Sequence, residues 1–348
     1  SVSKVLLLIK FLLFTFTIVY FFKNNEKLIS KIFLFYGIVC LILSIDVIFQ
    51  SYFYKNILGF INNYEYNSSF YGEEKLAGFH ILFFSFFSIF FLPNIFKNKI
   101  YKNFLLLILL VIFPLSIFLS LNRVSLISYF LGLIFLLILS KNRTKKILSL
   151  VSIPLFIFLA INHPDQKYMQ KYQSFFLHGS MIIERTFENY SDIKKLNDNK
   201  KNNFENKIEN RYTGSGHAAL FSTAIYIWKD NKWFGIGYKQ FYKKCRELKT
   251  HICSTHPHNI YLDILTSFGL IGILPFIIIL LSLLKKSIGI IFSKNNKTNV
   301  TNCLFITNII LFFPLQSSGS IFKSYFGFFA FTLIALSISI FNSKKKNV

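Results

Sequence analysis

Long apolar runs alternate with short polar connections along the whole chain. A run of about 17–25 apolar residues is long enough to cross a bilayer as a helix. Nine such runs stand out, near 4–22, 32–53, 76–94, 104–121, 124–140, 147–162, 259–284, 301–316 and 325–341. The pattern predicts an all-α polytopic membrane protein with about nine transmembrane helices. Only Asn122 and Arg123 separate the fourth and fifth runs, so those two should form a tight helical hairpin.

The pattern breaks once, over 163–258, which divides the chain into helices at 1–162, a large loop at 163–258 and further helices at 259–348. Within the loop, NDNKKNNFENKIENRY (197–212) is polar and low in complexity and reads as a flexible connector. HAALFSTAIYIWKDNKWFGIG then reads as an amphipathic helix at about 217–229, followed by a turn containing Gly235 and Gly237.

Composition agrees with the pattern: 53% of residues are hydrophobic, 45 are Phe and only 16% are charged, the profile of a membrane protein. The net charge of +24 does not point to nucleic acid, because the basic residues sit in clusters between apolar runs. Such clusters follow the first, third, fifth, seventh and ninth runs, as at Lys97, Lys99 and Lys102 or Lys141, Arg143, Lys145 and Lys146. Every second connection is therefore cytoplasmic by the positive-inside rule, and 54–75, the 122–123 turn, 163–258 and 317–324 face outward. This orientation places Ser1 outside, and the reading expects one further helix ahead of it.

The outward side holds the candidate chemistry. His256-Pro257-His258-Asn259 precedes the seventh run. An imidazole there can act as a base near neutral pH, and a helix N-terminus favours anions. The plainer reading makes Asn259 or His258 a helix cap. Arg123, at the hairpin apex, can pair bidentately with phosphate or simply reach to headgroups. Asp46 and Gln50 share one helix face, and the acid needs Arg123 or cavity water as partner. Cys245 and Cys253, eight residues apart, can close a disulfide in an oxidising compartment. A zinc site built from His251, Cys253, His256 and His258 fits no standard spacing and would exclude that disulfide, so no metal is expected. No Gly-rich phosphate loop or Asp-x-Asp pair is present, which argues against a nucleotide-sugar donor.

HPHNIYLDILTSFGLIG resembles the C-terminal motif of the O-antigen ligase and O-antigen polymerase superfamily, through His258, Asn259, Leu262, Gly269 and Gly272. The preceding SGHAALF…KWFGIG is similar to the family's helix ending in Gly-x-Gly, with His217 where an Arg is usual and Arg211 six residues earlier as a substitute. SLNRVSLISYF resembles the Ser-Arg segment and places Arg123 on its arginine. SIDVIFQSYFYKNILGF with YGEEKLAG, and LFFPLQSSGSIF, are similar to further segments of polymerase-like members. The motif region covers about 110–290. The resemblance implies a lipid-linked, GT-C-like inverting glycosyltransferase of the bacterial inner membrane, with its site on the periplasmic face. It implies an undecaprenyl-pyrophosphate-linked glycan donor, an acceptor on lipid A-core or another lipid-linked glycan, and neither metal nor other cofactor. His258, with His256 and Asn259, would activate the acceptor; Arg123, with Arg211 or His217, would hold the pyrophosphate; Asp46 and Gln50 would support them. Ligase and polymerase both remain open, and a transporter or flippase of lipid-linked oligosaccharides is the alternative of another class.

Overall fold

The computed structural model describes residues 2–23, 25–61, 65–179, 216–248, 253–292, 298–316 and 319–345. The 197–212 connector, Arg211 and His251 lie outside them. Each of the nine apolar runs overlaps a helix, the eighth only as far as Leu311: α1 (Val2–Phe22), α2 (Glu26–Phe53), α3 (Ala77–Phe91), α4 (Lys99–Leu119), α5 (Arg123–Leu139), α6 (Arg143–Ile161), α10 (Ile260–Phe292), α11 (Asn299–Leu311) and α12 (Ser324–Lys345). Five of these elements are long and apolar enough to cross a membrane: α2, α3 with its one-turn extension to Ile95, α4, α6 and α10. The polar middle contributes α7 (Lys167–Gly179), α8 (Gly216–Asp230) and α9 (Phe241–Glu247). Among the described residues there is one isolated β-bridge, between Lys55 and Ile61, and no extended strand.

The chain divides into two compact units that do not follow sequence order. One comprises 1–16, 176–283 and 317–332; the other comprises 17–175, 284–316 and 333–348. We refer to them as the histidine unit and the arginine unit.

The arginine unit is organised around α3, which packs against α2, α4, α5 and α11. The helix is largely apolar around its circumference, as a helix enclosed by others must be, and every residue from Ala77 to Phe91 except Phe84 is buried. The α6 helix is its opposite, with 22% buried and Leu150, Leu155 and Phe158 exposed, the surface a lipid-facing helix presents. Small residues set the closest approaches: a Cβ on Gly78 would meet Ser120 Oγ at 2.1 Å, so this glycine lets the α4–α5 turn settle on the start of α3.

In the histidine unit, α8 and α9 bury Leu220, Ala224, Ile227 and Phe241 around Cys245. Cys245 is bonded to Cys253, with Cα atoms 5.8 Å apart. A second apolar contact stacks Phe11 on Phe331, with centroids 5.0 Å apart.

Candidate functional site

The α10 helix starts behind a cap. Asn259 Oδ1 accepts the N–H groups of Tyr261 at 3.0 Å and Leu262 at 3.2 Å, satisfying two donors that a helix start leaves open. His258, just before it, is in the left-handed region at φ 57°. That turn brings its ring onto His256, with centroids 4.2 Å apart, and edge-on to His217 at 5.6 Å. His217 is exposed in the first turn of α8, while His256 is buried. Ser254 Oγ lies 3.0 Å from His258 Nε2, and Thr255 Oγ1 lies 3.0 Å from His256 Nδ1.

Loss of water, followed by the nearby His217 and Lys323 charges, pushes His258 down to about 4. It is therefore neutral near pH 7 and able to accept a proton.

One turn further on, Asp263 is buried and accepts from the Ser320 hydroxyl. At Gly269 (φ 62°, ψ −156°) α10 breaks. A break frees backbone groups, which are costly if left unbonded in an apolar setting. The 232–237 turn satisfies them: Ile236 and Gly237 donate to the carbonyls of Thr266 (2.8 Å) and Ser267 (3.0 Å), while Leu270 and Ile271 donate to those of Lys232 (2.9 Å) and Trp233 (3.2 Å). This approach leaves no room for side chains. A Cβ on Gly269 would lie 2.3 Å from Trp233 O, and one on Gly235 would lie 2.5 Å from Thr266 O. The two glycine motifs are thus two sides of one backbone junction, which fixes α10 relative to α8.

Arg123 lies in the arginine unit, at the first position of α5 behind the Asn122 cap. Its guanidinium carbon is 5.5 Å from the centroid of Phe175. Among the described residues, its buried Nε has no hydrogen-bond partner, nor do the buried Ser125 Oγ and Tyr172 OH. Tyr172 stacks on Phe118, and burial raises its phenol well above the usual range, against a smaller pull from Arg123. Lys75 is an exposed residue, but its ammonium sits 5.5 Å from the Tyr66 ring centroid. Loss of water there, then the Arg123 and Lys171 charges, push it down to about 8. A cluster of cations and unbonded donors is suited to an anion.

Asp46 requires a correction. Among the described residues it forms no ion pair with Arg123; it accepts from the Ser69 hydroxyl and, at 2.6 Å, from the Ile57 N–H. Gln50 Oε1 accepts the Ser69 N–H at 2.9 Å. The i, i+4 face was legible in the sequence, but the loop after α2 folds back and occupies it. Lys75, Ser125, Tyr172 and Lys323 were missed. Lys323 left one signal, a lysine in an outward connection where the positive-inside rule expects few.

The family model described as O-antigen ligase matches residues 105–277, a stretch that includes Arg123, the α8 helix, the histidines and the Gly269 break. The chain thus carries an O-antigen ligase domain in a helical membrane protein. The match supports the resemblance to the O-antigen ligase and polymerase superfamily. No curated protein matches the sequence.

Proposed function

We propose that the protein transfers a glycan from an undecaprenyl-pyrophosphate carrier to an acceptor hydroxyl at the periplasmic face of the bacterial inner membrane. The observation that carries this reading is the neutral His258, held by the capped start of α10 beside His217 and His256, within an O-antigen ligase domain. His258 accepts the proton of the acceptor hydroxyl as its oxygen bonds to the anomeric carbon. The bond from that carbon to the pyrophosphate oxygen breaks in the same displacement, which inverts the centre. Arg123, with Lys75, holds the departing pyrophosphate and stabilises its charge. His217 or Arg211 assists the leaving group. Asn259 is a positioning residue through its cap, as are Asp46 and Gln50 through Ser69.

The apolar helices, in a GT-C-like arrangement, lie in the membrane with the 163–258 segment outside. The Cys245–Cys253 disulfide supports that orientation, because such bonds persist in an oxidising compartment.

The test is a lipopolysaccharide gel from two hosts, one lacking its ligase and one its polymerase, each given this gene with the cognate repeat unit. Glycan attached to lipid A-core in the first host identifies a ligase; a restored ladder in the second identifies a polymerase. If neither appears and the purified protein moves lipid-linked glycan across vesicles without forming a glycosidic bond, the transporter reading replaces this one.

A further inference from the structure

A second polar site lies within the arginine unit, at the ends of its helices away from Arg123. Lys102 stands in the first turn of α4 and Arg123 follows that helix's far end; Lys145 stands in the first turn of α6, beyond the end of α5 that Arg123 begins. A 21-residue helix is about 30 Å long, so the two sites are separated by roughly a bilayer core.

The second site is a cavity of about 340 Å³. Lys102, Lys141 and Lys145 line it, with Asn94 and Asn302, and no lining residue is Asp or Glu. Lys102 Nζ donates to Asn94 Oδ1 at 2.6 Å. The half-buried Lys145 holds its ammonium 4.2 Å from the Phe90 ring centroid. Three cations facing one cavity with no lining carboxylate repel one another and favour an anion. Asn302 supplies an independent observation: it is 7% exposed, lines the cavity, and its Oδ1 has no hydrogen-bond partner among the described residues. An acceptor on that residue calls for a donor on the ligand, which the fully ionised phosphate of an ester does not itself supply. Pockets that hold small ligands run from roughly 300 to 1,000 Å³, so the cavity suits a small headgroup.

We infer that this cavity binds a phosphate group with an adjacent hydroxyl: the phosphate on Lys102, Lys141 and Lys145, and the hydroxyl donating to Asn302. Glycerol phosphate has that chemistry, whether free or as the headgroup of phosphatidylglycerol. The inference goes beyond glycan transfer, and only the assignment of the cavity to the cytoplasmic leaflet rests on the proposed orientation. A headgroup bound there would anchor the arginine unit at a fixed depth in the bilayer.

The experiment uses the purified full chain in detergent. Native mass spectrometry and thermal unfolding are followed as short-chain phosphatidylglycerol, phosphatidic acid, phosphatidylcholine, glycerol 3-phosphate or inorganic phosphate is added. Phosphatidylglycerol or glycerol 3-phosphate should bind in preference to phosphatidylcholine, whose headgroup carries a fixed positive charge and no hydroxyl. Binding of the lipid alone identifies a headgroup; equal competition by glycerol 3-phosphate identifies the free compound. Each of Lys102→Gln and Lys145→Gln should weaken binding about fivefold. Asn302→Ala should weaken phosphatidylglycerol but leave phosphatidic acid unchanged, because only the former has the free headgroup hydroxyl. Lys23→Gln, at an exposed lysine that does not line the cavity, should bind like the wild type. Equal binding of phosphatidylcholine and phosphatidylglycerol by the wild type overturns the inference without any variant, as does wild-type binding by the lysine variants.

Discussion

The surroundings of His258 and of Arg123 are built in opposite ways. His258 is held by backbone and covalent structure: a capped helix start, a left-handed turn, a disulfide nearby, and a helix break closed by four main-chain hydrogen bonds. Arg123 is held by packing on Phe175, and its Nε is left unbonded beside other unbonded donors. A base must present one nitrogen at one angle, so it gains from a rigid frame. An anion site must keep its donors open until the ligand arrives, because a donor already committed is lost to the ligand.

Removing the base should have the largest effect. His258→Gln is expected to lower the transfer rate by about 10²–10⁴-fold. Undiminished transfer would move the base elsewhere and end the comparison. Arg123→Gln removes a charge that acts on the leaving group, and is expected to cost about 10²–10³-fold in rate. Arg123→Lys should recover only part of this, since an ammonium lacks the planar fork.

The frame itself is tested through stability. Cys245→Ser opens a small loop and should lower stability by about 2–3 kcal/mol. Alkylation of both cysteines in the native protein without reductant would show that the bond is absent. Gly269→Ala puts a side chain at positive φ against Trp233 O, and should cost at least about 2 kcal/mol. The kinetic signature should be a fall in transfer with the pyrophosphate dependence of Arg123 intact.

The smallest effect concerns pH. The working form of His258 is neutral, so activity should hold as pH falls and be lost only near its depressed value of about 4. Lys323→Met removes one of the charges that depress it and should move that acid limb upward by less than about one pH unit, since loss of water is the larger cause. Stability follows the same sign. A histidine depressed on folding is protonated in the unfolded chain first, so stability falls between its ordinary value and about 4 as the pH is lowered. His258→Gln should flatten the stability profile in that window, as followed by thermal unfolding.

The sequence by itself determined the helices, because an apolar run of sufficient length leaves its backbone no other way to bond in a low-dielectric setting. It also showed the chemistry at the start of α10, since Asn259 caps within its own turn and needs no distant partner. What it could not contain is which distant groups meet. Asp46 is satisfied by Ser69, 23 residues away, rather than by Arg123. The carbonyls freed by the α10 break are taken up by a turn some thirty residues earlier, so two glycine motifs that read as separate are one junction. Lys323 acts on His258 from 65 positions away. Hydropathy and capping are properties of neighbours along the chain, whereas the partner of a buried polar group is chosen by packing, and only the tertiary structure makes that choice.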